Sequence, residues 1–81
     1  MFISAKLLRK NGHRAWYAFG ANKDTLNGIL YVDIVNMNDS SVEKISPEIS
    51  YNGSLKMIAR IISLAKENNQ FPEYCIKTTT G

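Results

Sequence analysis

Apolar positions change their period once along this chain. From Phe2 to Val35 they recur at a spacing near two, and from Leu55 to Ala65 at three and four. The first spacing predicts strands and the second an amphipathic helix. Over Ser54–Asn68, Leu55, Ile58, Ile62 and Ala65 form a stripe that Met57, Ile61 and Leu64 widen. Lys56, Arg60, Ser63 and Glu67 fall on the opposite side. Asn52 or Ser54 supplies the N-cap, and Asn68-Asn69-Gln70 followed by Pro72 closes the helix.

Ahead of the helix, residues 2–9 and 14–21 flank Lys10-Asn11-Gly12-His13, and Asn-Gly between strand-like runs predicts a hairpin. A turn centred on Asn11-Gly12 pairs Lys10 with His13, Leu7 with Trp16, Lys6 with Tyr17 and Ser4 with Phe19. That register puts Ile3, Ala5, Leu7, Trp16 and Ala18 under the helix. Phe2, Ser4, Lys6, Leu8, His13, Tyr17 and Phe19 then form a mixed outer face. Residues 22–28 read as a polar connector, and residues 28–36 as the clearest strand, rich in β-branched side chains. In that strand Leu30, Val32 and Ile34 point one way, and Ile29, Tyr31, Asp33 and Val35 the other. Residues 36–41 read as a turn, residues 42–46 as a short strand stopped by Pro47, and residues 73–80 as a last strand. The expected architecture is a single α+β domain over residues 1–81. Its order is β-β-β-(β)-α-β, with one helix on one face of an antiparallel sheet of four to five strands.

Eighty-one residues suffice for one small core, and the margin is narrow. One cysteine, Cys75, excludes an internal disulfide and fits a reducing compartment. The N-terminus lacks the basic-then-apolar layout of a signal peptide, and the apolar runs are too short to span a bilayer. The expectation is a cytoplasmic protein with no membrane association.

Net charge is +3, unevenly placed. Residues 1–23 hold Lys6, Arg9, Lys10, Arg14 and Lys23 with no acid. Residues 24–50 hold Asp24, Asp33, Asp39, Glu43 and Glu48 against Lys44 alone. Nothing in the sequence amounts to a catalytic set. His13 is the sole histidine, beside a turn, with no second His or Cys near it. Asp33 and Glu43 offer paired carboxylates only if their strands are neighbours, and acids alternating on a strand are more often solvated. Cys75 lies in an apolar strand, as a small buried hydrophobe does. The five glycines stand singly, so no phosphate loop forms. No catalytic residue, metal ligand or cofactor is expected, and the chain reads as a non-enzymatic binding protein.

Two partner surfaces follow from the charges. Tyr31, Asp33, Asp39, Glu43 and Glu48 would present an acidic surface to another protein. With its small size, acidic middle, single helix and lack of a catalytic constellation, the chain resembles the small immunity proteins of bacterial toxin systems, those of contact-dependent growth inhibition included. The resemblance implies neutralisation of a cognate toxin domain by direct binding, with no residue carried over. Its net positive charge departs from the acidic character usual in inhibitors of nucleases. The alternative surface is a basic, aromatic one of Lys6, Arg9, Lys10, Arg14, Tyr17 and Phe19, suited to single-stranded nucleic acid. It lacks the Lys/Arg-Gly-Phe/Tyr pattern of RNA-recognition domains. A third reading is a homodimer paired through the edge of the last strand.

Overall fold

The computed structural model describes residues 2–78. Five strands and one long helix follow in the order β1 (Phe2–Asn11), β2 (Arg14–Gly20), β3 (Gly28–Asp33), β4 (Ser41–Lys44), α1 (Tyr51–Asn68) and β5 (Tyr74–Thr78). A 3-10 turn at Met37–Asp39 separates β3 from β4. The sheet is antiparallel throughout and ordered β4-β3-β2-β1-β5. Four strands therefore meander outward from β1, and α1 crosses one face to return the chain to the far side of β1. This is the α+β arrangement expected from the change of period. The short strand at residues 42–46 is present as β4, and the last strand as β5. Residues 79 and 80, expected to extend β5, lie outside the described residues.

Gly12 has φ +63°, and no other residue of the hairpin tip has positive φ. The central pair of the turn is Gly12-His13, since Asn11 pairs with Arg14. Positive φ at the first central position alone is the requirement of a type II′ turn, which glycine meets without a Cβ clash. The expected turn centred on Asn11-Gly12 is thus displaced by one residue, which by itself leaves every side chain on its expected face.

A second shift has the larger consequence. Leu7 pairs with Tyr17 while Arg9 pairs with Trp16, so Leu8 is a bulged residue with no partner of its own. One extra residue inverts the relation between the faces of the two strands beyond it. Ile3 and Ala5 lie under the helix as expected, but Ala15, Tyr17 and Phe19 join them, and Trp16 and Ala18 turn outward. Tyr17 and Phe19 are fully buried. Their expected place on the outer face is therefore wrong, and Trp16 occupies the outer position instead.

The core joins these residues and Leu30 and Val32 to Met57, Ile58, Ile61, Ile62 and Ala65 of α1, with Ile49 and Phe71 closing the ends. Leu55, expected in the apolar stripe, is 39% exposed. The helix begins three residues earlier than the stripe suggested. Ser50 is the N-cap, its hydroxyl accepting the Gly53 N–H at 3.0 Å. The early start puts Gly53 and Ser54 against the sheet in place of Leu55. At the other end Asn69 adopts a left-handed conformation, φ 57°, ending the helix as an αL cap does. Tyr17, at the sheet centre, donates its phenolic O–H to the Pro72 carbonyl at 2.5 Å. That bond pins the chain between α1 and β5.

Gly20 closes the β2–β3 connection. A Cβ there would sit 1.7 Å from the Thr25 carbonyl oxygen, so only glycine fits.

Candidate binding surface

The helix covers one face of the sheet and leaves the other open. On that open face the central strands bring together Arg9, Arg14, Trp16, Tyr31 and Glu43. Antiparallel register explains the grouping: Arg9 is paired with Trp16, and Trp16 with Tyr31 on its other side. The Arg9 guanidinium lies 4.1 Å from the Trp16 ring centroid, and that of Arg14 lies 5.0 Å from the Tyr31 centroid. The two rings are 6.3 Å apart and inclined at 38°. Trp16 donates its indole N–H to Glu43 Oε1 at 3.2 Å, which ties the β4 edge into the cluster. Each ring therefore carries a cation on its π face, and the cluster is held on strands rather than loops. Lys6 and Lys10 are exposed, Lys6 farther along β1 and Lys10 near the hairpin tip.

Asp33 ends β3 at the border of this surface, and its side chain is 2% exposed. Oδ1 accepts the N–H groups of Val35 and Asn36 at 2.9 and 2.8 Å. Oδ2 meets Arg14 Nη2 at 3.4 Å and His13 Nε2 at 3.3 Å. The Asn36 amide, above all, holds the carboxyl below its ordinary range. Val35, His13 and Arg14 add to that effect, while loss of solvent opposes it. Asp33 thus joins the hairpin tip to the β3 turn and presents no charge outward. Its expected place on an exposed acidic surface is corrected accordingly.

The remaining acidic candidates are spread out. Asp39 is exposed at the 3-10 turn, where it accepts the Asn36 side-chain amide at 2.9 Å and stands 3.9 Å from Arg14. Glu43 is engaged by Trp16, and Glu48 is exposed in the connector before α1. Asp33 and Glu43 have different partners, and they do not form a carboxylate pair. Of the basic and aromatic candidates, Lys6, Arg9 and Arg14 lie on the open side; Lys10, paired with the buried Ala15, stands on the helix side near the tip, and Tyr17 and Phe19 belong to the core. Tyr31 has the outward position expected of it.

Trp16 is the surface residue missed in the sequence, where the simple hairpin register puts it under the helix. The adjacent Leu7-Leu8 pair breaks the alternation of β1 at the place where the bulge lies. His13 flanks the tip with its side chain 55% exposed, against Asp33. Cys75 is buried in β5, and burial pushes its thiol up while Arg60 pulls the other way. Among the described residues no group of three or more His, Cys, Asp or Glu side chains is placed to hold a metal ion. No helix of the described residues is long and apolar enough to cross a membrane.

No protein-family model, no curated protein and no solved structure matches the chain.

Proposed function

We propose that the protein is a non-enzymatic binding module acting in the cytoplasm, and that the open sheet face around Trp16 docks onto a protein partner. The reading that fits its size and lack of catalytic machinery is neutralisation of a bacterial toxin domain, as in the immunity proteins it resembles. The observation that carries the docking surface is the cluster of Trp16 and Tyr31 with Arg9 and Arg14. Tryptophan, tyrosine and arginine are the residue types that dominate protein interfaces when buried centrally. Here they are pre-placed by a sheet, which lowers the entropy lost on docking. Asp39 beside Arg14, Glu43 against Trp16 and Lys6 farther along β1 supply charges of both signs for register. The acidic surface first expected loses Asp33, and the centre of the interface moves to Trp16.

Single-stranded nucleic acid is the second reading, favoured by the same rings beside Arg9 and Arg14, with Lys6 farther along the same face. It is the weaker one, because Arg9 already covers the Trp16 ring and base stacking would have to displace it.

The test is affinity capture from the native lysate with the wild-type protein and with Trp16→Ala, each with and without nuclease. The expected result is one stoichiometric protein that survives nuclease, falls at least tenfold with Trp16→Ala, and whose toxicity on expression is suppressed by co-expression of this chain. Material lost to nuclease and to raised salt would replace this reading with the nucleic-acid one. Equal capture by both proteins would remove the Trp16 surface from the account.

A further inference from the structure

We infer that two copies of this chain pair through their β5 edges to form a two-fold dimer with one continuous sheet. β5 is an outer strand of the sheet, and β4 is the other. β4 has four residues and a register shift against β3, so it is a poor template for further pairing. β5 pairs with β1 over five residues with no shift.

The backbone polarity of the β5 edge follows from one bond. The Leu7 N–H donates to the Glu73 carbonyl at 2.9 Å, so Glu73, Cys75 and Lys77 direct their backbone groups at β1. Tyr74, Ile76 and Thr78 therefore direct theirs to the free edge. In a two-fold antiparallel pairing centred on Cys75, Tyr74 faces Ile76 of the second copy in a hydrogen-bonded pair, and this occurs twice. The same register sets Glu73 opposite Lys77 of the second copy, also twice. Among the two-fold registers that satisfy the edge hydrogen bonds, the one centred on Cys75 is also self-complementary in charge. A lysine that guards an edge against arbitrary strands becomes, in this register, half of an ion pair.

The side chains agree independently. Phe2, Tyr74 and Ile76 are 60%, 42% and 50% exposed and lie on the open face at this edge. Pairing β5 with itself joins these residues from both copies into one strip that shields apolar surface. β1 separates β5 from β2, so the Trp16 cluster stays uncovered and the dimer displays it twice.

Sedimentation equilibrium over about 5 to about 500 μM, the range suited to a small interface, tests the inference. The expected species has twice the 9.1 kDa chain mass at the upper end. Lys77→Glu or Glu73→Lys turns two attractions into two repulsions and weakens association by roughly tenfold. The double swap Glu73→Lys with Lys77→Glu restores it. Amide exchange of the unaltered protein gives a second measurement: protection of the Tyr74 and Ile76 amides rises with concentration. A chain that stays monomeric throughout, or a dimer indifferent to both single swaps, overturns the proposal, as does exchange at Tyr74 and Ile76 that ignores concentration. None of these results depends on whether Trp16 binds a partner.

Discussion

Two buried polar side chains tie connecting segments to this sheet, and each makes stability depend on pH in its own direction. Asp33 titrates lower in the fold than the ordinary aspartate value of about 3.9. Its contribution is fully present above that value and is lost as pH falls through the folded value. Asp33→Asn keeps an acceptor for Val35 and Asn36 but gives up the charge facing Arg14 and His13. The variant should melt several degrees lower at neutral pH and lose part of the acid-side decline, read by thermal melts at pH 7 and pH 3. Tyr17 behaves in the opposite sense, because burial pushes its phenol above the ordinary value of about 10. The stability it confers is intact below about pH 10 and falls as the pH rises further, where the unfolded chain ionises and the folded one resists. Tyr17→Phe removes the bond to Pro72 and should cost about 1 kcal/mol in denaturant titrations, with a shallower alkaline decline. Neither role was legible in the sequence. Asp33 alternates with Tyr31 and Val35 as an outward residue would, and only the turn after β3 brings amides to its carboxylate.

At the scale of elements the helix, the strands and their order in the chain were all readable from period and turn residues. What was not readable was phase. Asn11-Gly12 marks the hairpin correctly, yet the turn uses Gly12-His13, and the bulge at Leu8 then inverts β2 relative to β1. The inversion is favourable because it buries Tyr17 and Phe19, whose rings fill the space under α1, and leaves Trp16 at the surface with Arg9. Pairwise register reasoning has no term for a bulged residue, so it carried an error of one position along the whole hairpin. This account predicts that deleting Leu8, which is 54% exposed, removes the bulge and leaves every face unchanged. The deletion should fold with a loss within about 1 kcal/mol, as surface changes usually do. Its tryptophan emission should match the wild type. Failure to fold would mean that the bulge itself, through its added twist, is required. Helix phase was misjudged as well: capped by Ser50, the helix begins at Tyr51, three residues before Ser54, and Leu55 is rotated out of the core.

For the whole molecule, the uneven charge along the sequence does not survive as two opposed patches. Asp33 is buried and Asp39 and Glu43 lie beside Arg14 and Trp16, so the acidic middle of the chain is folded into the basic hairpin. What the sheet leaves exposed instead is a mixed aromatic and arginine surface at its centre and an apolar edge at β5. These are two surfaces on one face, separated by β1. The first is proposed for a protein partner and the second for another copy of the chain. Their separation lets each be disabled without the other, and a dimer showing the first surface twice would gain avidity only on a partner that offers two sites.

Trp16 is the sole tryptophan, so its fluorescence reports on the centre of the proposed interface without any label. The decisive measurement is acrylamide quenching of Trp16 in the free protein, with the captured protein partner, and with a single-stranded oligothymidine. The account predicts blue-shifted emission and at least a halved quenching constant with the protein partner, since a central interface residue loses its water. It predicts little change with the oligonucleotide. Emission and quenching unaltered by a partner that demonstrably binds would place the interface elsewhere and contradict the account.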